Sequence, residues 1–122
     1  MIKLSFCLHR LPHLTREEFQ KYWFERHAPL VAKNKAALRI KRYVQAHTTT
    51  DPMNEAIRGS REAPEGYDGV AELWWDSLED IAAATSTPEG IEAGRQLLED
   101  ERKFIDLKRS PLYFGVERVI IG

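Results

Sequence analysis

The sequence predicts an α+β fold with elements in the order β-α-β-β-α-β, and three observations carry the prediction. Four stretches have strand patterning, two positions carry strong helix-start signals, and a breaker-rich segment divides the second strand from the third. At 122 residues the chain is about one domain long, so residues 1–122 are expected to share one modest core.

Ile2, Leu4, Phe6 and Leu8 alternate with Lys3, Ser5, Cys7 and His9, the period of a first strand. A helix follows whose start is specified twice: Thr15 and Glu18 have capping-box spacing, and Leu14 with Phe19 has that of a hydrophobic staple. Phe19, Trp23, His27 and Leu30 then form one inward stripe. Pro29 has no amide proton and disfavours the helical state at Ala28, so the helix is expected to end or kink within a turn of His27. Residues 39–48 alternate again, with Ile40, Val44 and Ala46 on one face and Lys41, Tyr43, Gln45 and His47 on the other. Residues 49–66 hold Pro52, Pro64 and Gly66 and read as a lid or surface loop, with at most a helical turn at 53–58. Residues 68–75 form a third strand, apolar on both sides apart from Glu72. Ser77 with Asp80 caps a short helix. Thr87 followed by Pro88 opens a longer one to about residue 106, with Ile91, Leu98 and Ile105 as its buried stripe beside Leu97 and Phe104. Leu112–Ile121 closes the order as a fourth strand. The sum is a ferredoxin-like arrangement, a four-stranded antiparallel sheet with helices on one face.

Lys plus Arg (18) nearly cancels Asp plus Glu (19), so no global field favours nucleic acid or an anionic membrane. A single cysteine, Cys7, cannot form an internal disulfide or a multi-cysteine zinc site, in keeping with a reducing cytoplasm. No apolar run approaches the roughly 20 residues of a membrane span, and neither a signal peptide nor a glycine-rich phosphate loop is seen.

Chemistry is expected at His27, because an imidazole beside a helix break can reach a cavity and can both take and return a proton near neutral pH. The alternative is a hydrogen-bonded core histidine. The aromatic side chains Trp23, Trp74, Trp75, Tyr22 and Phe104 read first as core or dimer interface. Among them Trp23, which shares the His27 stripe, and Trp75, which shares strand parity with Ala71 and Leu73, are the better pocket candidates, with Leu73 and Phe104 beside them. His47 shares the Tyr43 face and either lines the same cleft or is solvated at the strand end. Glu72 and Glu117 are expected to pair with Arg42 or Arg118, the alternative being a buried carboxylate that serves as a general acid. Only His27, His47 and Glu72 form a plausible metal trio, and no metal is expected.

The stretches from Leu8 to Phe19, Tyr22-Trp23 with His27-Ala-Pro-Leu30, Arg42-Tyr-Val-Gln45 with His47, Tyr67 to Asp76, and Phe114 to Ile120 resemble the EthD-type branch of the dimeric α+β-barrel superfamily. The resemblance covers nearly the whole chain. It implies a homodimer in which two four-stranded sheets close a barrel, with a small-molecule cleft between each sheet and its helices. Relatives include muconolactone-type isomerases, polyketide cyclases, anthrone decarboxylases and a protein encoded beside an ether-degrading monooxygenase, all handling small, largely apolar compounds. Aligned with a lactone isomerase of this kind, the chain places His27 at that enzyme's helix histidine and Tyr43 at a strand tyrosine. Tyr43 is thereby implied as donor to a developing oxyanion. Leu73 stands where that isomerase has a cysteine, which turns the expectation away from its particular reaction. Some barrel relatives bind haem, but the motifs here resemble the EthD branch, so no cofactor is expected. Two function classes follow. One is a cofactor-free lyase, cyclase or isomerase that moves protons on a small hydrophobic or aromatic oxygenated metabolite. The other is a non-catalytic binding or accessory protein for a neighbouring oxygenase.

Overall fold

A computed structural model describes residues 1–122. Its strands are β1 (Ile2–Leu8), β2 (Arg42–His47), β3 (Gly69–Trp75) and β4 (Leu112–Val116). They form one four-stranded sheet in the order β2-β3-β1-β4, antiparallel throughout. The helices are α1 (Arg16–Tyr22), α2 (Ala28–Lys33), α3 (Lys35–Leu38), α4 (Met53–Gly59), α5 (Leu78–Ala84) and α6 (Pro88–Glu101). The β-α-β-β-α-β arrangement is therefore present, with α1–α3 and α6 supplying the helical layer. No helix is long and apolar enough to cross a membrane.

Register assigns the two sheet faces. Ile2, Leu4, Phe6 and Leu8 pair with Trp75, Leu73, Ala71 and Gly69, and Leu73, Ala71 and Gly69 pair with Tyr43, Gln45 and His47. These residues all lie on the helix-covered side. Lys3, Ser5, Cys7, Glu72, Trp74 and Arg42 lie on the opposite side, where Lys3 pairs with Glu72 and Arg42 stacks over Trp74 at 4.7 Å. Glu117 accepts a hydrogen bond from the Trp74 indole, so neither glutamate has the arginine partner that the sequence led us to expect. His27 and Glu72 lie on opposite sides of the sheet, which separates the candidate metal trio.

The capping box at Thr15 and Glu18 is complete, and Ser77 and Thr87 cap α5 and α6. Pro29 does not stop the first helix. Residues Trp23–His27 form a π turn, with the Ala28 amide donating to the Trp23 carbonyl, and α2 resumes beyond it. The inward stripe is consequently Phe19, Trp23, His27 and Val31; Leu30 is half-buried. Arg39 adopts a left-handed conformation (φ 57°) after α3, so Ile40 precedes β2 and packs into the core instead of joining Val44 and Ala46. Residues 53–59 are a full, exposed helix, α4.

The long helix α6 ends at Glu101, and its inward residues are Gly90 and Ala93, with Leu97 packed against the core; Ile91 and Leu98 face outward. Small residues on that stripe let α6 approach its neighbours. Phe104 and Ile105 are buried beyond its end. The fourth strand stops at Val116, and Val119, Ile120 and Ile121 are 80–96% exposed instead of extending it.

Two local devices hold the first helix on the sheet. Gly69 has no side chain, and a Cβ there would overlap the ring carbons of Trp23, so the glycine is the floor on which this indole rests. Asp68, only 3% exposed, accepts from the Arg10 amide (2.8 Å), the Arg10 guanidinium (2.5 Å) and Arg16 Nε (3.0 Å), tying the β1–α1 loop and α1 to the start of β3. Gln20 adds a bond from α1 to the Asp68 carbonyl. Burial by itself would raise the Asp68 pKa, but the Arg10 amide and both guanidinium groups outweigh it and hold the carboxyl below its ordinary range.

A carboxyl with a depressed folded pKa contributes stability that is present above its unfolded pKa and lost as pH falls through the folded value. Wild-type protein should therefore weaken from about pH 4 downwards. Asp68→Asn should be about 2 kcal/mol less stable at pH 7, with a flatter acid limb, as read by urea melts at several pH values. Gly69→Ala should lose about 1–3 kcal/mol through overpacking against Trp23, and near-ultraviolet circular dichroism should report the displaced indole.

Candidate functional site

Between the helical layer and the covered sheet face lies a cavity of about 160 Å³ lined by 16 residues, 14 of them hydrophobic. That is close to the size of an apolar cavity able to hold a benzene ring. The two remaining lining residues are His27 and Glu101, and the phenol of Tyr43 adds a third polar group. Trp23, Leu73 and Trp75 form part of the wall. His47 and Phe104 stand behind it. The His47 ring stacks on Trp23 at 4.4 Å, and Phe104 packs against His27 at 5.1 Å and Tyr22 at 5.0 Å.

His27 reaches the cavity through the π turn, of which it is the last residue, two positions before Pro29 and immediately before α2 resumes at Ala28. The imidazole is 5% exposed, and its Nδ1 lies 2.8 Å from Asp100 Oδ2. The other carboxylate oxygen of Asp100 accepts from the Tyr22 hydroxyl at 2.5 Å. A carboxylate can only accept, so Nδ1 carries the hydrogen and Nε2 presents its lone pair to the cavity side, 3.9 Å from Glu101 Oε2. Burial, the largest influence, lowers the His27 pKa below its ordinary value despite the opposing effect of Asp100. The ring is thus neutral at pH 7 and ready to accept a proton.

Tyr43 is oriented by a fixed amide. Gln45 Nε2 donates to the Trp23 carbonyl (3.1 Å) and to the Tyr43 oxygen (2.7 Å), and a backbone carbonyl can only accept, so the amide orientation follows. Gln45 Oε1 then accepts from His47 Nε2 at 2.8 Å. With its oxygen occupied by Gln45, the Tyr43 hydroxyl keeps its own hydrogen free for a partner in the cavity. Burial pushes its pKa up to about 12, so it remains a donor across the physiological range.

Asp100 and Glu101 were not anticipated as site residues from the sequence. Their signal was present: Glu99, Asp100 and Glu101 occupy the last turn of α6, where the helix dipole disfavours negative charge. Glu99 is paired with Arg95 at 2.8 Å and Asp100 serves Tyr22 and His27, whereas Glu101 makes no hydrogen bond to the protein.

The fold has counterparts among solved structures. A crystal structure of an ethyl tert-butyl ether D (EthD) family protein from Bacillus halodurans is 23% identical with a TM-score of 0.62, covering 97% of this chain and 100% of the other. An EthD-like protein from Ralstonia eutropha JMP134 is 19% identical with a TM-score of 0.59, covering 96% and 94%. A dimeric ferredoxin-like protein of unknown function from Thermobifida fusca is 14% identical with a TM-score of 0.58, covering 95% and 90%. At these identities the structures show a shared fold. The model of the EthD domain matches residues 11–108, most of the chain and all of the cavity's polar groups, and the protein belongs to the EthD family.

Proposed function

We propose that the protein is a cofactor-free proton-transfer enzyme of lyase, cyclase or isomerase type, acting on a small hydrophobic or aromatic oxygenated metabolite. The observation that carries this reading is a neutral imidazole, oriented by Asp100, with Nε2 turned to an otherwise apolar cavity. In this role His27 takes a proton from bound substrate. The resulting imidazolium is stabilised by Asp100, whose second oxygen is already held by Tyr22. Tyr43 donates its free hydrogen to the oxygen on which negative charge develops, and the apolar wall of Trp23, Leu73 and Trp75 keeps water away and strengthens that bond. His47 holds Gln45, and through it Tyr43, without entering the cavity. The reaction moves protons and no net electrons, so these side chains suffice for it.

A homodimer in the cytoplasm is part of the same proposal. The Thermobifida fusca neighbour is described as dimeric. In this chain β4 is an exposed edge strand, and Leu112, Phe114, Val116 and the tail through Ile121 offer an apolar surface that a second copy would cover.

His27→Gln should lower turnover by about 10²–10⁴-fold with little change in fold. Asp100→Asn should cost about as much by favouring the wrong tautomer, and Tyr43→Phe about 10²-fold. Circular dichroism checks folding beside each rate. Wild-type activity should fall as pH drops below 6.5, since His27 faces Asp100 and Glu101 of α6 and Tyr43 of β2 and must be neutral to act. Unchanged ligand affinity without turnover of any candidate would instead favour the accessory-protein role. Sedimentation equilibrium at micromolar concentration should give a dimer; a folded monomer would refute the assembly.

A further inference from the structure

Glu101 is the residue that packing leaves unexplained. Its carboxyl lies in an apolar cavity at the negative end of α6, next to Asp100, without any hydrogen bond from the protein. Every other acid of that turn has a partner. The cavity wall also contains no lysine or arginine. An anion entering it would lose its hydration, meet a neutral imidazole, and face a second carboxyl. The groups that do line it, a phenol hydroxyl, an imidazole nitrogen and a carboxyl, suit an uncharged oxygen and the C–H bonds beside it. A volume of about 160 Å³ admits one ring with its oxygen.

Building on the proton-transfer reading above, we propose that Glu101 is a second acid–base group beside His27 at the cavity, close enough to exchange a proton with it. We further propose that the site takes an uncharged, single-ring unsaturated ketone rather than a carboxylate. On a β,γ-unsaturated ketone, His27 Nε2 removes a proton from the carbon between the carbonyl and the double bond. The C–H electron pair becomes a carbon–carbon π bond, and the carbonyl π pair moves to oxygen, where the Tyr43 hydroxyl stabilises the dienolate. The Glu101 carboxyl then gives its proton to the γ carbon. The oxygen pair re-forms the carbonyl, and the double bond shifts into conjugation. His27 is left as imidazolium and Glu101 as carboxylate, 3.9 Å apart at Nε2 and Oε2, and return of the proton between them restores the starting state. Nothing is oxidised or reduced.

The protonated carboxyl this requires is supported by burial, with Asp100 adding to it, which raises Glu101 to about 7. The groups facing it are His27 from the π turn, Tyr43 from β2 and Asp100 beside it on α6. Activity should therefore have an alkaline limb near pH 7 in addition to the acid limb of His27.

Cyclohex-3-enone is the probe, followed in D2O by ultraviolet absorption of the conjugated product and by NMR of its exchangeable protons. Glu101→Gln should slow conversion about 100-fold or more and lose the alkaline limb, while exchange at the α carbon persists within a few-fold. His27→Gln should lose both. Exchange that survives His27→Gln overturns the proton-transfer reading itself. Exchange that needs His27, with conversion indifferent to Glu101→Gln, overturns the role of Glu101 alone, as does wild-type conversion no faster than buffer. The substrate class is tested on wild-type protein without any variant, by calorimetric titration with phenol and benzoate at pH 7.5. Phenol should bind at least about tenfold tighter, and benzoate binding as tightly as phenol or tighter would overturn the uncharged-substrate assignment.

Discussion

The constraint on which the site depends is a mismatch between the spacing of four side chains and the pitch of the helix that carries them. Phe19, Trp23, His27 and Val31 are all buried, at intervals of four residues. An ordinary α-helix turns about 400° in four residues, so such a stripe drifts about 40° at each step and would carry Val31, three steps on, to the edge of the core face. The π turn at Trp23–His27 absorbs this drift by using one more residue in its turn. It ends two residues before Pro29, which has no amide to lose. The same turn leaves the Trp23 carbonyl within reach of Gln45 as well as of the Ala28 amide. One local unwinding thus aims the imidazole and anchors the strand that carries Tyr43.

Around that turn the polar groups form two chains that end at the cavity. Tyr22, Asp100 and His27 form one, from the helical layer; His47, Gln45 and Tyr43 form the other, from the sheet. Each has an acceptor-only group, the Asp100 carboxylate or the Trp23 carbonyl, and that group fixes the direction of every hydrogen in the chain. The outcome is a free lone pair on His27 and a free hydrogen on Tyr43. A base and a donor are held ready in a wall that is otherwise hydrocarbon, where electrostatic interactions are stronger than in water.

The two sheet faces divide the work. The covered face carries the cavity, while the opposite face carries Lys3, Glu72, Arg42 and Trp74 in ion-pair and cation–π contacts with no route to His27. Asp68 and Gly69, adjacent at the start of β3, then dock the first helix, the former through charge and the latter by having no side chain. Cavity shape therefore depends on two residues that do not line it.

Local chemistry in the sequence was enough to determine the element order, the caps at Thr15, Ser77 and Thr87, the face of β2 that carries Tyr43, and the inward position of Trp23 and His27. Capping, alternation and periodicity act within a few residues, and so they can be read along the chain. Whatever depended on groups brought together from afar was decided by tertiary structure. Ile91 and Leu98 suggested the buried stripe of α6 by hydrophobicity, yet close packing selected the small Gly90 and Ala93. The apolar residues after Val116 suggested more strand, but pairing with β1 ends at Ile2 opposite Val116 and offers them no partner. Asp100 and Glu101 could be noticed as misplaced charge at a helix end, but their meeting with His27, 73 and 74 positions away, belongs to the fold. The sequence by itself specified an imidazole aimed inward; only the packing of α6 against the π turn supplied the carboxylate that orients it and the carboxyl that faces it.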